Sequence, residues 1–361
     1  MNHKPNSFAA FPGLALLTGV AALAAISLHR APALSADEKA ASAEAAATDQ
    51  QTPVTDEANN TAPSAGSDAI PSATDVLSQT RSKLQELESL KCDLHETVIM
   101  AGMTLKAVGT YSEASGNRIH LKFQIFPSQP AAKNEVKAIP IDVEPAAQDP
   151  ASVRGELTQV SDGTVLFTLW KNGEIARVNR RNLRDIMAAA TQVAGYDNDH
   201  VAMDLGVGGI RGLIARIESL MEFAPVQTKK VGETDFYVIR GRWNAKTRKE
   251  IFDLPAEAIV DPRPHVPEYV LFYIDAKTLL PRRIEYRKRA ADPALKFDRP
   301  MVTLDLRNIV VNEAIPDDLF VFSAPEGIPE DDITEQTIQF IQRTTQRPAD
   351  GTVPDTTPPI P

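Results

Sequence analysis

The chain has 361 residues, 43% of them hydrophobic, and carries 38 Lys and Arg against 48 Asp and Glu for a net charge of −10. That acidic balance argues against nucleic acid as a main partner. Its single cysteine, Cys92, excludes an intramolecular disulfide and a cysteine-based metal cluster.

Residues 1–36 begin with His3 and Lys4, run apolar from Phe8 to Leu28, and end on small residues at Ala31-Pro32-Ala33 and Ala36. This pattern predicts a signal peptide or a retained signal anchor, and so export to the periplasm or cell envelope. Residues 37–72 are Ala, Ser, Thr, Pro and acid with almost no large apolar side chains, which predicts a disordered tether. The Pro-rich segment 347–361 reads the same way, leaving one domain over 73–346.

That domain opens on a helix, with Ser72 and Asp75 as its capping pair, Leu77, Leu84 and Leu87 on one stripe, and Cys92 at its end. Residues 93–112 form two alternating runs broken at "AGM", the pattern of a hairpin. In "RIHLKFQIF", Ile119, Leu121, Phe123 and Ile125 point inward. "GELTQVSDGTVLFTLWKNGEIARV" gives three further strands, separated by turns at Ser161-Asp162-Gly163 and Asn172-Gly173.

Two helices then interrupt the strands. Asn182 caps the first, which carries Leu183, Ile186, Met187 and Ala190 and is predicted to stop at Gly195. The second sets Ile210, Leu213, Ile214, Ile217, Leu220 and Met221 on one face. Strands resume at "DFYVIRGRW", "EYVLFYID", "PRRIEYRKR" and "MVTLDLRNIVV". Residues 246–266 read as a loop insertion, and "ITEQTIQFIQRT" as a weak closing helix. Short turns between many strands predict an α+β fold: one large curved antiparallel sheet, a half-open β-barrel, with helices covering its concave face. The strand at 269–274 is apolar on both faces, so both need cover.

Few residues suggest chemistry. "DLGVGGIRGLI" departs from G-x-G-x-x-G by placing Arg211 where the pattern wants its last glycine and lacks a Gly-Lys-Ser/Thr, so it reads as a flexible lead-in to a movable helix. His95, His120, His200 and His265 follow no metal-ligand spacing, and the acidic segments "YDNDH" and "EGIPEDDIT" match no EF-hand. No catalytic residue, metal or cofactor is expected. Arg283, Arg287 and Arg289 share one strand face, as a charged outer surface or as a docking patch for an acidic partner or anionic lipid head groups.

The order of "GTYSEASGNRIHLKFQI", "QVSDGTVLFTLWKNGEI", the helix pair, "FYIDAKTLLPRRIEY" and "NEAIPDDLFVFSAPEGIPEDDIT" resembles the LolA/LolB-type superfamily of extracytoplasmic lipoprotein-sorting and lipid-carrier proteins. The resemblance spans about 75–335. It implies a half-open barrel with an apolar cavity for acyl chains of a lipid or lipoprotein, in a monomeric, non-enzymatic protein. The helix pair over 182–194 and 208–222 would be its lid. Ile186, Met187, Leu213 and Ile217 would pack that lid, with Leu121, Phe123, Phe167, Leu169, Phe272 and Leu304 lining the cavity. The tether, the insertion and the proline tail lie outside the superfamily pattern. The same fold also serves envelope sensors, so a membrane-tethered interaction module with an envelope membrane protein as partner is the alternative.

Overall fold

The computed structural model describes residues 70–100, 102–130, 141, 149–192, 208–250, 252, 254–255, 266–289 and 298–345. The expected leader, nearly all of the tether, the proline tail, Gly195, "YDNDH" and most of 251–265 lie outside those residues.

The capping pair forms as the sequence suggests. Ser72 Oγ accepts from the Asp75 N–H at 3.2 Å and donates to Asp75 Oδ2 at 2.6 Å, which starts α1 at Ala73–Gln85. Cys92 does not end this helix. It lies within β1 (Ser89–Met100), where Leu90, Cys92, Leu94 and Val98 are buried with the period of two of a strand.

The next elements are β2 (Met103–Ala114), β3 (Arg118–Ile125), β4 (Gln129–Pro130), β5 (Gly155–Asp162), β6 (Val165–Asn172) and β7 (Ile175–Asn182). The β6–β7 hairpin turns through Gly173 at φ 59, a left-handed conformation that suits glycine. Then come α2 (Leu183–Ala190), α3 (Gly209–Leu220), β8 (Met221–Phe223), β9 (Gln227–Val231) and β10 (Thr234–Trp243). The 246–266 segment contributes a short helix, α4 (Ala245–Glu250), to the described residues. After it come β11 (Tyr269–Asp275), β12 (Pro281–Lys288), β13 (Arg299–Val311), β14 (Glu330–Asp332) and α5 (Thr334–Thr345).

All the strands join one 14-stranded sheet ordered β14-β7-β6-β5-β3-β2-β1-β13-β12-β11-β10-β8, with β4 on β2 and β9 on β10. Its pairs are antiparallel except β14 with β7, which is parallel. β14 and β8 end the order without pairing to each other among the described residues, so the sheet is open rather than a closed barrel. The fold is α+β, a half-barrel with helices on its concave side, as expected.

Cross-strand register defines the two faces. One row runs Ile239–Phe272–Ile284–Leu304–Glu96–Ala107–Ile125 across seven strands. Adjacent rows hold Leu94, Leu306 and Phe123, and Val98, Val302, Tyr286 and Val270. These side chains and the buried faces of α1 and α3 make the main core.

The opposite, convex face answers the two-sided apolar pattern of β11. Tyr273 packs there with Phe236, Val238 and Leu271, so Val270, Phe272 and Ile274 are buried on one side and Tyr269 and Tyr273 on the other. Downstream of β13 the chain crosses the convex face of β3, β5 and β6. Arg118 pairs with Asp317 at 2.7 Å and lies over Phe320, and Phe322 stacks on Phe167 with centroids 4.7 Å apart.

Candidate functional site

Two helices roof the centre of the concave face. α1 buries Ala73, Val76, Leu77 and Thr80, while α3 buries Ile210, Ile214 and Ile217. They pack against each other, and the Arg81 guanidinium meets the Glu218 carboxylate at 2.6 Å across the helix pair. Burial raises the Glu218 pKa, with Arg81 opposing the shift.

The N-terminus of α3 is hydrogen-bonded to the sheet, while residues 204–207 of the expected lead-in lie outside the described residues. Glu113, on the concave face of β2, accepts from the Tyr111 hydroxyl at 2.7 Å and hydrogen-bonds the Ile210 backbone. Gly209 takes φ +60, and a Cβ there would lie 2.4 Å from Glu113 Oε2. A carboxylate of the protein's own thus fills the place where the glycine-rich segment would hold an anion. Burial raises the Glu113 pKa, against the hydrogen bonds from Tyr111 and Ile210.

Six of the ten predicted cavity and lid residues meet in the main core: Leu121, Phe123, Leu213, Ile217, Phe272 and Leu304. Ile186 and Met187 do not. They pack with Leu183, Ala190, Ile119, Leu166, and Ile338 and Ile341 of α5 in a separate cluster. The predicted lid pair of α2 and α3 is therefore replaced by two other pairs, α1 with α3 and α2 with α5. The apolar stripe of α2 is covered by the closing helix, which β14 delivers to its side.

Phe167 and Leu169 lie on the convex face. Register places them with His120 and Lys122, whereas Leu166 and Trp170 face the concave side with Ile119 and Phe123. The β6 sequence is apolar on both faces, and only its pairing with β5 tells them apart.

The docking-patch reading is corrected as well. Arg283 is 2% exposed, and its guanidinium grips Asp305 directly opposite on β13, with Nη2 donating to Oδ2 at 2.9 Å. Arg283 also meets Glu285 at 3.5 Å, and Arg287 donates to Glu285 at 2.6 Å. Arg289 pairs with Glu268 at 3.4 Å. These cations are paired with buried carboxylates in and beside the sheet, since a desolvated charge needs a partner inside the fold.

One residue that the sequence reading did not single out stands at the centre of the concave face. Glu96 is 1% exposed, set between Leu94 and Val98 along β1 and between Ala107 and Leu304 across it. Among the described residues, neither of its carboxylate oxygens has a hydrogen-bond partner. Burial alone pushes its pKa up to about 8, so the carboxyl is neutral in mildly acidic and neutral solution. Thr80, on the buried side of α1, is equally enclosed, and its hydroxyl also has no hydrogen-bond partner among the described residues. The sequence signal for Glu96 was available: an acid at an inward position of an otherwise apolar alternation.

No helix among the described residues is long and apolar enough to cross a membrane. No family model matches the sequence, and no curated protein matches it. Among solved structures, the chain is similar to lipoprotein LppX from Mycobacterium tuberculosis, at 12% identity and TM-score 0.31, over 68% of this chain and 100% of that one. It is also similar to LprF from Mycobacterium bovis, at 11% identity and TM-score 0.29, over 68% and 94% of the two chains. A LolA superfamily protein from Nitrosomonas europaea shares 13% identity with TM-score 0.24, over 70% and 98%. At these identities and scores no ligand or role passes from those proteins to this chain.

Proposed function

We propose that the protein is a non-enzymatic protein of the cell envelope that shelters acyl chains of a lipid or lipoprotein between the concave face of its sheet and the roof formed by α1 and α3. The observation that carries this reading is the construction of that roof. Two amphipathic helices lie on a broad apolar surface, and the described ion pair joining them, Arg81 with Glu218, is partly exposed.

Energetics favour exchange of roof contacts for ligand contacts. An exposed ion pair contributes about 1 kcal/mol or less. Each acyl methylene taken from water contributes about 0.8 kcal/mol, so roughly ten of them offset several kcal/mol of roof opening. The leader and tether would place the domain outside the cytoplasm, within reach of membrane lipid.

Native mass spectrometry of the full chain, purified gently from its envelope, tests this reading. Adducts with masses of acylated lipids, released by organic extraction, are the expected result. A protein that carries none and takes up no fluorescent fatty acid would overturn it. A single stoichiometric protein partner, retained whether or not fatty acid is supplied, would favour an interaction module instead.

A further inference from the structure

The acyl-sheltering reading leaves one group on the concave face without a purpose. A buried carboxyl with no hydrogen-bond partner costs roughly 1–3 kcal/mol relative to a satisfied one. Glu96 incurs that cost at the middle of a row whose other members are aliphatic or aromatic. Its cross-strand neighbours are Ala107 on β2 and the larger Leu304 on β13. Acyl chains that come from membranes carry one polar group at the end of the hydrocarbon: the carbonyl of an ester or of a free acid.

We propose that Glu96 is the polar anchor of the ligand site, its carboxyl O–H donating a hydrogen bond to the carbonyl oxygen of an acyl ester or fatty acid that lies beneath α1 and α3. The inference rests on the acyl-sheltering reading and adds the ligand's chemistry to it. In the closed protein the carboxyl is walled in, and a ligand reaches it when the roof parts. A plain hydrocarbon satisfies nothing at this point. An ester satisfies the donor, and a free acid can both accept from Glu96 and donate back to it.

Other ionisable groups share this face: Cys92 further along β1, Tyr111 and Glu113 on β2, and Tyr286 on β12. The roofing helices bring Arg81, Arg216 and Glu218. The shift of Glu96 has burial as its cause, with no charged neighbour contributing among the described residues, so its proton is held by desolvation. A ligand carbonyl would stabilise that same protonated form.

The test is equilibrium binding of radiolabelled palmitic acid, methyl palmitate and hexadecane to the full chain, its E96L variant and its E96Q variant. At mildly acidic pH, E96L is expected to lose about tenfold in affinity for the carbonyl ligands, the equivalent of one hydrogen bond, while hexadecane binds as well or better. Loss on both carbonyl ligands supports the anchor with esters as ligands, and loss confined to palmitic acid supports it with free acids. E96Q keeps a donor and retains methyl palmitate at every pH, whereas the natural protein releases it as the pH rises past 8. This second arm stands even if E96L folds poorly. Equal binding of methyl palmitate and palmitic acid by natural protein and E96L, with no pH effect, overturns the anchor and leaves acyl sheltering intact. Failure of the natural protein to bind any of the three overturns the acyl-sheltering reading itself, and the anchor with it.

Discussion

Arg283 and Asp305 face each other across β12 and β13 and form a two-pronged ion pair within the convex side of the sheet. Glu285, fully buried beside them, is shared between Arg283 and Arg287. Removing Arg283 takes away the two-pronged partner of buried Asp305 and leaves it the more distant Arg307, at 3.7 Å. Arg283→Ala is therefore expected to lower stability by about 3–5 kcal/mol. Urea denaturation followed by circular dichroism checks this. A loss below about 1 kcal/mol, the range of exposed pairs, would mean that the pair is hydrated in solution.

Glu96 makes stability depend on pH in a direction opposite to that of most carboxylates. Its folded pKa of about 8 lies above the ordinary 4.5. Between those values the folded chain holds a proton that the unfolded chain has released, so stability falls as the pH rises. The slope is about 1.4 kcal/mol per pH unit from this one group. The full benefit is present below the unfolded value and is gone above the folded one. Denaturant midpoints of E96Q, measured beside the natural protein across this range, should lack that slope. Parallel curves for the two proteins would show that Glu96 is ionised in the fold.

The N-terminus of α3 should be sensitive to a single methyl group. Gly209→Ala adds a Cβ at φ +60 and drives it toward the Glu113 carboxylate. A loss of about 1–3 kcal/mol is expected. Amide exchange should quicken over Gly209–Leu220 and stay slow in β12 and β13, which α3 does not anchor. Unchanged protection of α3 would show that it is held from elsewhere.

Reversing one charge in the roof should affect exchange of ligand more than folding. Arg81→Glu places two acids where Arg81 and Glu218 now meet. Stability should fall by no more than about 1 kcal/mol, because Arg81 is partly exposed. Release of a fluorescent fatty acid, followed by stopped flow, should quicken several-fold. An unchanged release rate would place the opening at another part of the molecule.

Much of the strand arrangement was legible from alternation and turn chemistry. Ile119, Leu121, Phe123 and Ile125 announced the inward face of β3, and Asn182 the start of α2. Long-range pairing was not legible. Nothing local indicates that α2 meets α5 rather than α3, because each carries an adequate apolar stripe and the partner is chosen by where β7 and β14 end. Phe167 and Leu169 were assigned to the wrong face for a related reason. β6 is apolar on both sides, and its register with β5 decides which side is concave. Arg283 illustrates the limit most clearly. A strand of arginines reads as surface until Asp305 and Glu285 are placed against it.

The central claim is that an acyl chain lies between the concave face and the α1–α3 roof, and nuclear Overhauser contacts from a uniformly carbon-13-labelled palmitate to the protein's methyl groups test it most directly. The account predicts contacts to Leu94, Leu304, Ile214 and Ile217, with none to Ile186 or Leu183 in the cluster beneath α5. Bound palmitate that contacts the α2–α5 cluster or the convex face, and leaves those four residues untouched, would contradict it.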